Sequence, residues 1–299
     1  MKIAYIEKNL GQKKLALIAI ANAIIADYER QGYDLTLRQL YYQMVAAGHI
    51  PNNERTYKNL GTAIDDGRMV GLIDWERIVD RTRNLEGLGH FGSPADIMRA
   101  AVYSYHEDKW AGQEYHPEVW VEKQALAGVV QRICNRLDVS FFACRGYVSQ
   151  SEMWGAARRL MRHRDAGQHP VILYLGDHDP SGIDMTRDVA ARLSLFVGDE
   201  VEVRRLALNW SQIEEYNPPP NPAKLSDSRS TAYIEAHGDE SWELDALPPQ
   251  TINSLIEDEL NDLIDFDAFE AAAAAEAKNK ALLQEASKRW PSVARFLEK

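Results

Sequence analysis

Apolar residues in the first third of the chain recur at helical rather than strand spacing. Residues 12–31 read as one helix, and "LTLRQLYYQMVAAGHIP" as a second, with Thr36 as its N-cap and Gly48 near its end. Residues 54–70, "ERTYKNLGTAIDDGRMV", carry a sparser third pattern, and "GLIDWERIVDRTRNLEG" then reads as a short extended stretch rich in arginine. Three helices and a hairpin-like basic segment predict a mostly α winged helix-turn-helix over residues 1–110.

After a loop-rich, aromatic region the period changes. "EVWVE" is followed by Leu126, Val129, Val130, Ile133 and Leu137 at helical spacing. Then come "VSFFAC", a helix from about Ser151, "VILYLGD", a helix over 182–196 and "EVEVRRLAL". This alternation predicts an α/β domain over residues 111–299, with a largely parallel four-stranded sheet flanked by helices. Four prolines within "PPPNP" fix φ and remove donors, so "YNPPPNPAKLSDSRS" reads as an extended loop. Helices, the last rich in alanine, follow it to the C-terminus.

Composition narrows the class. With 45% hydrophobic and 26% charged residues, the 299-residue chain is neither fibrous nor disordered in character. The two cysteines, Cys134 and Cys144, lack metal-ligand spacing and point to a reducing, cytoplasmic setting. The apolar run in "KKLALIAIANAIIADY" is too short to span a bilayer and reads as a buried helix. A net charge of −11 argues against nucleic acid only superficially, because residues 216–299 alone hold 8 basic and 16 acidic side chains. No Walker loop, dinucleotide fingerprint or zinc pattern occurs, which speaks against ATP hydrolysis by this chain.

The candidate chemistry starts at "LYLGDHDPSGID". Asp177 and Asp179 follow one strand, Glu122 ends another, and all three point to the same sheet edge. Paired carboxylates oppose each other's ionisation unless a cation intervenes, and magnesium takes one or two carboxylates while keeping several waters. A competing reading makes the aspartates caps of the helix beginning near Ser181. His178, by period-two alternation, points away from them. Upstream, Leu37, Leu40, Tyr41, Met44 and Val45 follow a buried helical stripe, which places Tyr41 in the core and Tyr42 with Arg38 on a more exposed face. A phenol beside a guanidinium suits phosphoryl chemistry, although adjacent tyrosines on an amphipathic helix are commonly packing residues. Arg68, Arg77, Arg81 and Arg83, with Arg145 near the acidic edge, are candidate phosphate contacts.

Taken together, "LRQLYYQ", "VEKQAL", "CRGYVSQS", Asp-x-Asp-Pro-x-Gly, "RRLALNWSQIEEYNPPPNPAKLSDSR" and "WELDALPP" resemble the topoisomerase VI A subunit and its meiotic double-strand-break relatives. That resemblance implies a winged helix carrying a nucleophilic tyrosine, Tyr42 with Tyr41 as fallback, followed by a Toprim domain. It also implies Mg2+ at Glu122, Asp177 and Asp179, and a homodimer in which the tyrosine of one protomer works with the metal site of the other on double-stranded DNA. The family would supply an ATPase B-type subunit, but the short segment before the first helix argues against one and for a compact stand-alone relative of the kind phages or mobile elements carry. Two other readings stay open: a Toprim nuclease that uses water, and a dimeric DNA-binding protein without catalysis.

Overall fold

A computed structural model describes residues 1–79, 89–223 and 229–297. Three helices open the chain: α1 (Gln12–Arg30), α2 (Leu37–Ala46) and α3 (Glu54–Met69). Each of the last two begins at a polar cap, with Thr36 forming a reciprocal capping box with Gln39 and Asn53 accepting from the Thr56 N–H. Their apolar faces meet in one core that includes Ile18, Ile25, Leu40, Met44, Leu60 and Ile64. A parallel bridge between Leu35 and Ile78 returns the chain onto this core. The segment expected to form a basic hairpin is described only as far as Val79.

The α/β expectation is met. After α4 (Pro94–Ser104) the order is β1 (Tyr115–Val121), α5 (Ala127–Arg136), β2 (Ser140–Ala143), α6 (Gln150–Asp165), β3 (His169–Leu175), α7 (Pro180–Val197) and β4 (Glu202–Ala207). These strands form one parallel sheet in the order β2-β1-β3-β4. Alternation along each strand decides which face a residue serves. Val119, Val121, Val171, Leu173 and Leu175 meet α5, while Trp120, Ile172 and Tyr174 meet α6 and α7. Glu118, 3% exposed, faces the second layer and is held there by Arg159 of α6 through two hydrogen bonds of 3.0 Å. β1 leads to one neighbour through α5 and lies beside β3 on the other side, so the chain order reverses between β1 and β3. The carboxyl ends of these two strands form the crevice where open α/β sheets bind ligands.

The rest of the chain wraps this frame. α8 (Trp210–Tyr216) precedes the proline-rich segment, in which β5 (Asn221–Pro222) forms a two-residue antiparallel ladder with β6 (Glu240–Ser241), and α9 (Ser230–His237) lies between them. α10 (Pro249–Leu263) covers the α5 face of the sheet, and α11 (Phe266–Lys288) packs against α4 before α12 (Trp290–Leu297). α4 lies in a region expected to be irregular. Ser93 caps it by accepting from the Asp96 N–H, Pro94 opens it, and its partner α11 is distant in sequence. Among the described residues no helix is long and apolar enough to cross a membrane.

Candidate active site at the sheet edge

Glu122 follows β1 directly, and its backbone N–H donates to Leu175 O at 2.8 Å, which continues the ladder one residue beyond the strand. Its carboxylate turns into the crevice and accepts from the Asp177 N–H at 2.9 Å. Two glycines make room for it: a Cβ on Gly176 would lie 2.9 Å from Glu122 Oε2, and one on Gly182 3.2 Å from the same atom. Glu122 is 7% exposed and Asp177 5%. Burial, and then the neighbouring Asp177, pushes the Glu122 carboxyl up to about 7.

Asp177 and Asp179 have different partners. Asp179 is the N-cap of α7, and its Oδ1 accepts from the Gly182 N–H at 2.6 Å and the Ser181 hydroxyl at 2.8 Å. Asp177 Oδ1 accepts from the Leu244 N–H at 2.8 Å, while its Oδ2 lies 2.7 Å from the Lys123 ammonium. His178, between them, faces away as alternation predicts, bonding Tyr233 through Nδ1 at 2.8 Å. Its backbone pairs with Trp242 in both directions, which lays residues 242–246 along the acidic edge.

That segment carries residues the sequence reading passed over. Lys123 Nζ lies 2.9 Å from Glu243 Oε2 and 3.5 Å from Asp245 Oδ2 as well as against Asp177. Burial alone would lower the lysine pKa, but Asp177, Asp245 and Glu243 hold it above the ordinary value. Burial likewise opposes ionisation of Glu243, yet Lys123 and Arg38 bring its pKa down to about 2. The signal was present in "VEKQAL" and "WELDALPP": charged residues inside apolar runs end up buried and must find partners.

Glu243 is also the partner of Arg38 on α2. Arg38 donates to both carboxylate oxygens, with Nε at 2.8 Å from Oε2, and approaches Asp245 Oδ2 at 3.3 Å. Its guanidinium carbon stands 5.8 Å from the centre of the Tyr42 ring. A continuous path therefore runs within one chain from Tyr42 through Arg38, Glu243 and Lys123 to Asp177. Tyr42 is not the more exposed of the tyrosine pair: Tyr42 is 3% and Tyr41 4% accessible. The proline-rich loop covers the face that helical spacing leaves open, and Asn221 donates to the Tyr42 hydroxyl at 2.9 Å. Tyr41 donates instead to Asn52 Oδ1, also at 2.9 Å. Both tyrosines border a cavity of about 390 Å³ whose other walls include Arg38, Asn52, Asn221 and Glu243. Burial, and then Glu243, pushes the Tyr42 phenol up to about 12.

The expected phosphate contacts scatter. Arg68 donates to Trp75 O and Ile78 O, and Arg77 pairs with Glu29 and Asp34, so both serve the N-terminal core. Arg81 and Arg83 lie outside the described residues. Arg145 is exposed beside the acidic edge at a left-handed φ of 58°, with Nε donating to Gln124 Oε1 at 3.0 Å.

Glu122 and Asp177 have the chemistry of magnesium ligands and the glycine cradle leaves Glu122 space, but the set does not fit the ion as arranged. Lys123 engages Asp177, Asp179 caps a helix, and no cluster of three or more His, Cys, Asp or Glu side chains is gathered to hold a metal among the described residues. No family model matches the chain, and no curated protein matches it.

Proposed function

We propose that this chain is a DNA-cleaving transesterase similar to the topoisomerase VI A subunit, with a winged-helix unit followed by a Toprim domain. The observation that carries this reading is the path joining Tyr42 and Arg38 to the carboxylates at the β1/β3 crevice. In the reaction, the Tyr42 oxygen attacks a backbone phosphorus and loses its proton. The bond from phosphorus to the 3′ oxygen breaks, that oxygen takes up a proton, and the protein is left on the 5′ end; this polarity follows from the resemblance. Arg38 supports phenolate and the charged phosphate once it leaves Glu243. Magnesium is the cofactor the resemblance implies, but with Lys123 on Asp177 and Asp179 capping α7 the proposal assigns it no step. Double-stranded DNA and a second copy of the chain complete the proposal.

One observation favours a second reading. A buried phenol held near 12 is a poor nucleophile, which suits a Toprim nuclease that activates water and uses Tyr42 for packing. Wild type, Tyr42→Phe and Tyr41→Phe incubated with supercoiled plasmid and magnesium, then denatured in detergent, separate the two. Covalent protein–DNA adducts lost only in Tyr42→Phe support transesterification; full-rate cutting by Tyr42→Phe without adducts supports hydrolysis.

A further inference from the structure

β2 is the outermost strand of the sheet, with β1 on its inner side only. The Cys144 N–H donates to Val121 O at 2.8 Å, which sets the parity of the strand: residues 140, 142 and 144 turn their backbone groups to β1, and 139, 141 and 143 turn theirs outward. The Val139 N–H is taken by Cys134 O at 2.8 Å. Among the described residues none bonds Val139 O or the N–H and C=O of Phe141 and Ala143. Lysine, proline or a bulge commonly blunts such an edge, and "VSFFAC" carries none of them. Ser140 is exposed, and Phe141, Phe142 and Ala143 are half-buried. A groove of about 500 Å³, lined by His106, Lys109, Asn135, Asp138 and Phe141 among others, leaves the start of the strand open. Charges of opposite sign flank it. Asp138 stands before the strand, with its Oδ2 accepting from the Lys109 N–H at 3.0 Å and lying 3.6 Å from the Lys109 ammonium. Arg145 stands exposed after it and, among the described residues, commits only Nε, to Gln124.

We propose that the outer edge of β2 is the docking surface for a second copy of this chain, the two β2 strands pairing antiparallel about a two-fold axis at Phe141 and joining the two sheets into one. The inference is independent of the chemistry assigned to Tyr42. A two-fold axis normal to the sheet keeps every side chain on its own face, so residues of equal parity must oppose each other. An axis at Phe141 meets this and uses the free groups. The Phe141 N–H donates to Phe141 of the partner subunit at its carbonyl, the Ala143 N–H donates to the carbonyl of Val139 of the partner subunit, and both bonds are repeated across the axis. Phe141 comes to lie beside Phe141 of the partner subunit on the α5 side of the sheet, covering surface that is half exposed in one copy. The antiparallel direction also brings the Arg145 end of each strand to the Asp138 end of the other, whereas a parallel pairing would set like charges together. The edge is thus complementary to itself, which selects a second copy over a foreign strand.

Two measurements test this, and neither depends on DNA cleavage. The first is sedimentation equilibrium of wild type, Ala143→Pro and Arg145→Glu. Proline at 143 removes an outward donor and leaves the bonds to β1 in place, because an edge strand tolerates proline where the missing N–H faces solvent. It should weaken the dimer at least about tenfold. Arg145→Glu should weaken it as well, by a factor that shrinks as salt is added. The second is oxidative cross-linking of Phe141→Cys and Ser140→Cys, with the buried native cysteines of wild type as background. Cα atoms of a directly opposed, hydrogen-bonded pair stand about 5.5 Å apart, within reach of a disulfide. Phe141→Cys should therefore give a covalent dimer on a denaturing gel. Ser140→Cys, although at a more exposed position, faces Phe142 of the partner subunit and should not. Wild type that stays monomeric at every concentration overturns the proposal. So does a dimer in which Phe141→Cys forms no link, or no more than Ser140→Cys, and that result leaves the second copy of the proposed function to another surface. Should Ala143→Pro fail to fold, the cysteine pair decides alone.

Discussion

Replacing Glu122 by glutamine should stabilise the metal-free protein, and by an amount that depends on pH in a defined direction. The folded carboxyl titrates at about 7, against an ordinary value of 4.5, because burial and Asp177 both oppose its charge. A group whose folded pKa is raised lends its stability in full below the unfolded value, and that stability is lost as pH rises through the folded value. Wild type and Glu122→Gln should therefore match at pH 4.5 and diverge up to about pH 7, with the variant ahead above that. The difference of 7 and 4.5 at about 1.36 kcal/mol per unit sets an upper size of about 3 kcal/mol. Glutamine still offers an oxygen to the Asp177 N–H, so the substitution removes the titration without removing the acceptor. Urea unfolding in EDTA at half-unit steps between pH 4.5 and 8.5 reads the gap directly. A gap that stays constant across that range, or that closes as pH rises, refutes the electrostatic account of the crevice.

Other expectations are simpler. Gly182→Ala would place a Cβ 2.2 Å from Asp177 O and press on the carbonyl beside the acidic edge, so thermal unfolding should show a loss of about 2 kcal/mol or more. An unchanged midpoint would mean that the α7 cap is looser than described. Burial pushes the thiols of Cys134 and Cys144 up to about 12, so native protein should resist iodoacetamide at pH 8 and react at both cysteines once unfolded in urea. Rapid labelling of either in native protein would place that strand or helix outside the core.

The sheet was readable because its strands and helices each follow a single period and alternate along the chain. Glu122 and Asp177 were readable for the same reason, since a strand that ends in a carboxylate delivers it to a known edge. What escaped depended on contacts between distant segments. Tyr42 looked exposed because helical spacing reports the faces of an isolated helix, whereas Asn221, 179 positions away, closes over it. Glu243 and Asp245 belong to an irregular segment whose position is set by the backbone exchange between His178 and Trp242, which no local pattern announces. α4 did carry a local sign, Ser93 followed by Pro94 and Asp96, but its docking on α11 was not legible in its own residues.

The path from Tyr42 to Asp177 lies within one polypeptide, and that bears on inheritance as well as on geometry. If catalysis uses this path, each subunit owns a whole site, and a cell carrying one allele defective at Tyr42 and another defective at Asp177 has no subunit with both groups. The two alleles would fail to complement each other. A site divided between protomers would behave otherwise, because mixed dimers would rebuild one intact centre from two damaged genes.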